Sequence, residues 1–331
     1  MKSILLAATM LFGLHTAASA ETITIMVGGM EKQIYMPAML AQQIGAYKEQ
    51  GLDVTILNEP AGVDAETALL ANEVQGVVGF YDHTIDMQSK GKILVNIVQF
   101  SRAPGEVELV SVRIADKVKT FADLKGRSLG VTGLGSSTNF LTLAMAANAG
   151  LKPGDVTSVA VGAGATFLTA MQQGAIDGGM TTEPTISRAL STGLAKVFID
   201  MRTEAGTRAA LGGTYPAASL YVQQSWLKTH GETAQKLANA YVKTLKYIAD
   251  HSAAEITEVM PKDYYVGDKA AYIQALDQGK AMFTTDGVMP QGGPETVLKV
   301  LSAFKKELAN GKIDLSKTYT TEFVKHVKGG T

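Results

Sequence analysis

The sequence contains no cysteine, and this absence removes several classes of protein from consideration. Thiol catalysis, cysteine-ligated zinc, iron–sulfur clusters, disulfide frameworks and lipidation of an N-terminal cysteine all need the missing residue. Neither sign of charge dominates, since 30 Lys and Arg stand against 31 Asp and Glu, and no basic block or stripe occurs. A nucleic-acid partner is therefore not expected.

Motifs of the common catalytic classes are also missing. The chain has no H-E-x-x-H, no Walker A sequence and no Gly-x-Ser-x-Gly elbow. Only four histidines follow the first 20 residues, and they are too scattered to predict a metal site: His83, His230, His251 and His326. We therefore expect no enzyme, no cofactor and no bound metal.

The composition indicates a folded chain of roughly two domains, at about 150 residues each. Of its 331 residues, 46% are hydrophobic and 18% charged, which excludes disordered and fibrous proteins.

The first 20 residues have the pattern of a secretory signal peptide. Met1-Lys2 gives a positive start, an apolar run covers Ile4 to Leu14, and Ala18-Ser19-Ala20 is a small-x-small cleavage site. The apolar run is well short of the ~20 residues that a spanning helix needs. We expect cleavage after Ala20 and export to the bacterial periplasm as a soluble protein.

Strands alternate with helices in the remaining chain, which is typical of an α/β fold with mainly parallel sheets. One helix is predicted to begin at Pro37 and to end at Gly51, and another to begin at Asp64. The first strands are predicted from short runs of β-branched residues at 22–27, 52–56 and 77–80.

The same order of turns returns about a hundred residues later. Asn72–Gly76 corresponds to Gly174–Gly178, and Lys90-Gly91 to Thr192-Gly193, both at an offset of 102 residues. We therefore predict two doubly wound lobes of the same topology.

A predicted strand follows each repeat, at Glu106–Val112 and at Ala218–Val222, and we assign each to the opposite lobe. Lobe I would comprise 21–105 and 214–331, and lobe II 106–213. Ligands bind at the carboxyl ends of strands in open α/β sheets, so two such sheets would face each other across a cleft that a hinge can close.

Helices are predicted after Tyr221, packed on lobe I. Thr229 and Glu232 fit a capping box, and an apolar stripe follows with Leu237 and Tyr241.

Several segments resemble the bacterial substrate-binding proteins of the nitrate, sulfonate and taurine type. They are Pro37–Ile56, Phe121–Val131, Gly135–Thr138, and Ala175-Ile176-Asp177 with the following Glu183-Pro184. The same family includes binding proteins for the thiamine pyrimidine precursor and the yeast-type pyrimidine-precursor synthases. The resemblance implies a type II periplasmic binding protein fold and an ABC permease in the inner membrane as partner. Asn72 departs from the family, which often has glycine there.

Candidate ligand contacts in lobe I follow the first and third strands. Glycines allow close backbone approach in the loop that holds Met30 and Tyr35, and tyrosine offers a flat face with a hydroxyl. Tyr81 and Asp82 come directly after the third strand, at the carboxyl edge of the sheet.

In lobe II, the strongest local signal is Ser136, Ser137 and Thr138, which lead from a strand into a helix. Hydroxyls and the free N–H groups of a helix start suit a carboxylate or sulfonate, although such hydroxyls also cap helices.

Three further candidates complete the predicted site: Thr182, Glu183 and Tyr215. Thr182 and Glu183 are the repeat counterparts of Phe80 and Tyr81. Glu183 would bind an amine or amide, or be neutralised by Lys32 or Arg188. Tyr215 follows the second crossing between lobes and would close one wall.

These observations predict a monomeric periplasmic solute receptor of an ABC transporter. Its expected ligand is a small organic anion, a sulfonate or carboxylate, with aromatic compounds included. Asp82 and Glu183 leave a neutral or amine-bearing pyrimidine as the alternative. A pyrimidine-precursor synthase shares the fold, but the resemblance implies a Cys/His-rich iron site for that chemistry, which a chain without cysteine does not match.

Overall fold

The computed structural model describes residues 20–265, 267–309 and 312–327. The predicted signal peptide, apart from Ala20, lies outside the described residues. The described strands are β1 (Glu21–Val27), β2 (Leu52–Asn58), β3 (Gly76–Phe80), β4 (Leu94–Gln99), β5 (Glu106–Ser111), β6 (Ser128–Val131), β7 (Thr157–Ala160), β8 (Gly178–Thr182), β9 (Ala195–Asp200) and β10 (Ala218–Gln223).

The described α-helices are α1 (Met36–Gln43), α2 (Ala46–Glu49), α3 (Gly62–Leu70), α4 (Asp82–Ser89), α5 (Ser137–Asn148), α6 (Ala165–Gln172), α7 (Thr185–Ser191), α8 (Glu204–Leu211), α9 (Gln224–Leu227), α10 (Gly231–Asp250), α11 (Ala253–Val259), α12 (Lys269–Gly279), α13 (Gly293–Ser302), α14 (Lys306–Ala309) and α15 (Glu322–Lys325). Short 3-10 helices lie at Gln33–Tyr35, Ala115–Lys117, Phe121–Leu124, Lys262–Tyr265, Lys280–Met282 and Leu315–Lys317.

Two five-stranded sheets have the same topology. Their strand orders are β2-β1-β3-β10-β4 and β7-β6-β8-β5-β9. In each sheet the first three strands are parallel, and the strand that arrives from the other half of the chain lies antiparallel to both its neighbours. The predicted duplication and exchange of strands are therefore confirmed, in mixed sheets with one antiparallel strand each.

The chain passes between the sheets twice, between β4 and β5 and again between β9 and β10. The predicted lobe boundaries, after 105 and after 213, fall in these two crossings and stay a prediction. Because β5 runs antiparallel to β8, its first residue lies at the edge where β8 ends, and Glu106 pairs with Thr182.

Alternating side chains of each sheet fill a core on both faces, as a doubly wound fold requires. In the first sheet Ile25 and Val27 join the core with residues of α1 and α10, whereas Met26 joins the core with residues of α3. In the second sheet Val107 and Leu109 pack with residues of α6 and α7.

Two turns show how local sequence shapes the first lobe. The helix predicted from Pro37 to Gly51 is divided into α1 and α2, because Gly45 adopts a left-handed conformation with φ of 73°. Asn72 also has a positive φ, 61°. Asparagine tolerates this region better than most residues, so it replaces the glycine of the family without changing the turn.

The C-terminal helices differ from the prediction in two respects. α13 contacts α4 of the first lobe and also α5 of the second, so it does not pack on lobe I alone. The predicted capping box is wrong, because α10 has His230 at its N-cap position and the hydroxyl of Thr229 bonds to the carbonyl oxygen of Trp226. The apolar stripe is confirmed, with Leu237 and Tyr241 buried.

Candidate functional site

A small cavity lies where the strand ends of the two lobes meet. We call it the interlobe cavity, and its lining residues are Lys32, Tyr35, Gly62, Phe80, Glu106, Thr132, Ser136, Ser137, Thr138 and Thr182. The first four belong to the first lobe and the others to the second. The space open to the centre of a water molecule is about 10 Å³, which is room for about one water, so a larger ligand requires the lobes to separate.

Strand direction explains why these residues converge. Phe80 is the last residue of β3, Thr132 follows β6, and Thr182 ends β8, so all three lie at carboxyl edges. Glu106 begins β5, which runs in the opposite direction and therefore starts at the same edge.

The loop after β1 supplies the cation of the interlobe cavity. Lys32 is 4% exposed, and its Nζ donates to the carbonyl oxygens of Gly28 at 2.6 Å and Pro60 at 3.4 Å. Gly29 has a φ of +110°, and a Cβ there would come within 2.4 Å of the Lys32 Cε, so only glycine fits. Burial lowers the pKa of Lys32, while Glu31, Glu106 and Asp64 act in the opposite direction.

Across the cavity, Glu106 supplies a buried acid. It is 1% exposed, and its Oε2 has no hydrogen-bond partner among the described residues. Burial raises the pKa of Glu106 well above its usual value; Asp82 adds to the rise, and Lys32 opposes it. The Thr182 Oγ1, opposite Glu106 in the ladder, also lacks a hydrogen-bond partner in the described chain.

The N-cap residue and the first turn of α5 place three hydroxyls in the cavity wall, those of Ser136, Ser137 and Thr138, and each has a protein partner. The Ser136 Oγ accepts from the Val63 N–H at 3.3 Å, which links the two lobes. The Thr138 Oγ1 accepts from the Thr132 N–H at 3.0 Å. Ser136 is the N-cap residue of α5, and its side chain makes no capping hydrogen bond.

Ser137 forms a second link between the lobes. Its Oγ donates to Asp82 Oδ1 at 2.8 Å, and the hydroxyl of Tyr215 donates to Asp82 Oδ2 at 2.9 Å. Burial raises the pKa of Asp82, although His83 and these two hydroxyls oppose the rise. Asp82 and Tyr215 therefore lie behind the cavity lining and hold Ser137 in place.

Three other predicted contacts also lie outside the cavity lining, namely Tyr81, Met30 and Glu183. The Tyr81 hydroxyl bonds to that of Thr318, and its ring packs edge-on against Tyr319. Met30 is half-buried, and its N–H donates to Asn58 Oδ1 at 2.7 Å.

Glu183 is held on the second lobe by an ion pair. Its Oε1 accepts from Arg202 Nη1 at 3.1 Å, and Oε2 accepts from the Ser187 N–H at 3.0 Å. Its carbonyl oxygen accepts from the Gln33 N–H at 3.1 Å, which is a further link between the lobes.

The lining thus contains five of the ten predicted residues: Tyr35, Ser136, Ser137, Thr138 and Thr182. Sequence reasoning missed Glu106 as a site residue. The available signal was a glutamate directly after Gly105, at the start of a strand that changes lobe. Lys32 was considered only as a partner for Glu183.

Among the described residues, no group of three or more His, Asp or Glu side chains could hold a metal ion. No described helix is long and apolar enough to cross a membrane.

Comparison with known proteins agrees with this architecture. The alkanesulfonate-binding protein SsuA from Xanthomonas axonopodis pv. citri, solved bound to MOPS, superposes with a TM-score of 0.70 at 17% identity, covering 92% of this chain and 100% of that one. The fold is that of the periplasmic binding proteins, with two α/β lobes around a cleft.

The chain belongs to the NMT1/THI5-like family, which matches residues 33–255. A protein of known structure from Bordetella bronchiseptica RB50 is 36% identical, with a TM-score of 0.89 over 92% of this chain and 96% of that one. The 4-amino-5-hydroxymethyl-2-methylpyrimidine phosphate synthase THI13 of Saccharomyces cerevisiae is 26% identical over 237 residues, which are 70% of this chain and 68% of the yeast protein.

Proposed function

We propose that this protein is the periplasmic solute-binding component of an ABC importer. In this proposal residues 1–20 direct export, and the mature monomer captures a small organic anion in the interlobe cavity and delivers it to the permease. The observation that carries the proposal is the cavity itself, which is built from polar groups of both lobes at the facing strand ends.

An anionic ligand is supported by the positive groups of the lining. Lys32 is the lining lysine, and Ser137 and Thr138 stand in the first turn of α5, where N–H groups have no acceptor within the helix. The Ser137 hydroxyl already donates to Asp82, so backbone N–H groups, Lys32 and the Ser136 hydroxyl, which only accepts from Val63, would supply the binding free energy. The name of the alkanesulfonate-binding protein SsuA, which has the same fold, is consistent with such a cargo.

The test is to identify the cargo and to remove the lysine. Mass spectrometry of small molecules released from protein purified from the periplasm should find an organic anion near one equivalent. Calorimetry with that anion should show a loss of about tenfold or more in affinity for Lys32→Met, because a hydrogen bond to a charged group is worth about 1.5–3 kcal/mol.

Lys152→Met, at an exposed position, is the matched control and should bind normally. Melting curves verify that both variants are folded. A neutral released ligand, or unchanged affinity in folded Lys32→Met, would contradict the anion proposal.

A further inference from the structure

The interlobe cavity contains an acid that the protein does not satisfy. Glu106 is 1% exposed and lines the cavity, and its Oε2 lacks a hydrogen-bond partner among the described residues. Such an atom costs free energy, and an unsatisfied group in a native structure calls for an explanation. A binding cavity offers one, because the missing partner can arrive with the ligand.

A second unsatisfied oxygen lies beside the first. Thr182 is 2% exposed, lines the same cavity, and its Oγ1 has no partner in the described chain. Glu106 and Thr182 are direct partners in the antiparallel pair of β5 and β8, so their side chains leave the same face of the sheet. Two central strands therefore hold both oxygens, and strands position a site more accurately than loops.

The cavity lysine does not fill this role. The Nζ of Lys32 donates to the carbonyl oxygens of Gly28 and Pro60, and no ion pair joins Lys32 to Glu106 in the described part of the chain. Tyr35 and Phe80, whose rings lie edge to face at 6.0 Å, add apolar wall and no cation.

We propose that Glu106 and Thr182 form a subsite for a nitrogen that donates hydrogen bonds, so that the cargo is an organic anion that also carries an amine or N–H group. This inference rests on the proposed function and deepens it. The anionic end would lie toward Lys32 and the start of α5, and the donor end would lie on the β5–β8 pair. A carboxylate acceptor then distinguishes an amino compound from its methyl isostere, which leaves the acid unpaired.

The experiment uses matched amino and methyl compounds with the full mature protein. The anionic pairs are taurine with propanesulfonate, β-alanine with butyrate, and para-aminobenzenesulfonate with para-toluenesulfonate; the neutral pair is aminopyrimidine with methylpyrimidine. Calorimetry should find an amino member bound at least about tenfold more tightly than its methyl partner.

Glu106→Gln keeps the size of the side chain and removes its ability to ionise, and should reduce that preference by about tenfold. Glu108→Gln is the matched control, because Glu108 is a buried glutamate two residues along the same strand that does not line the cavity. It should keep the preference. If Glu106→Gln fails to fold, Thr182→Val, which is close in shape, should show a reduced preference.

The outcomes separate the two proposals. Methyl anions that bind as tightly as their amino partners overturn the subsite and leave the anion proposal intact. Binding of aminopyrimidine without any of the anions supports the subsite and overturns the anionic cargo. A preference that survives in folded Glu106→Gln overturns the subsite, and failure of every compound to bind overturns both proposals.

Discussion

At the scale of single residues, the unusual feature is the pair of buried glutamates on β5. Glu106 and Glu108 alternate with Val107 and Leu109, so the acids share one face of the strand and the apolar residues share the other. Glu106 lies at the interlobe cavity, while Glu108 Oε2 accepts a hydrogen bond from the Thr142 hydroxyl of α5 at 3.0 Å. The same residue type thus has two different environments two positions apart.

Glu108 should make stability depend on pH. Burial raises its pKa from 4.5 to about 8, partly opposed by the Thr142 hydroxyl. Because the folded state holds the proton more tightly, this stabilisation is fully present below the unfolded pKa of 4.5 and is lost as the pH rises through about 8.

Urea denaturation at a series of pH values should therefore show that the free energy of unfolding falls less steeply between pH ~5 and ~8 for Glu108→Gln than for the wild type. The difference in slope should approach about 1.4 kcal/mol per pH unit at most. Identical slopes for the two proteins would show that Glu108 does not titrate in this range.

At the scale of elements, α5 joins the two lobes by packing as well as by hydrogen bonds. Phe140, one turn into α5, is 2% exposed, and its ring lies 5.8 Å from that of His83 and 5.9 Å from that of Phe304. The Nζ of Lys305 lies 3.9 Å from the centre of the same ring. The segment after α13 therefore ties the start of α5 to the first lobe.

Truncation of Phe140 should be strongly destabilising. Phe140→Ala leaves a cavity among these rings, and we expect a loss of about 3–5 kcal/mol in the free energy of unfolding. Leu134→Ala, on the same lobe but at a side chain that is 59% exposed, should change stability by only about 0.5 kcal/mol. Chemical denaturation measures both, and equal losses would argue against this packing role of α5.

At the scale of the whole molecule, contacts between the lobes already hold the closed arrangement. Val63 donates to Ser136, Ser137 to Asp82, and Gln33 to Glu183, and all three bonds join one lobe to the other. They surround a cavity too small for an organic ligand. Entry and release of a ligand would therefore break and remake these bonds by hinge motion at the two crossings.

We expect the lobes to separate in the ligand-free protein in solution, and a bound ligand to hold them together around it. Small-angle scattering should show a smaller radius of gyration when ligand is added, and the protein should gain ~2.7 kcal/mol of stability at a hundredfold excess over the dissociation constant. Buffer carrying an isosteric compound that calorimetry shows not to bind is the control. A calorimetrically verified ligand that leaves the scattering profile unchanged would rule out closure.

The sequence by itself determined the architecture of this protein. Alternation of strands with helices, the turns repeated at an offset of 102 residues, and the strands that follow each repeat were enough to predict two lobes of one topology with exchanged strands. These signals are local, because hydrophobic period and turn residues act over a few positions. The turn at Ser136–Thr138 was also found in this way, since it marks a helix start.

Only the tertiary structure decided which polar groups face the cavity and which face each other. The partner of Ser137 is Asp82, 55 residues away, and Glu183 pairs with Arg202, which lies between β9 and α8. Glu106 stands at the cavity because β5 crosses to the other sheet and pairs antiparallel with β8. Hydrogen-bond partners and burial arise from contacts between distant segments, and a pattern read along the chain contains no information on which distant segments meet.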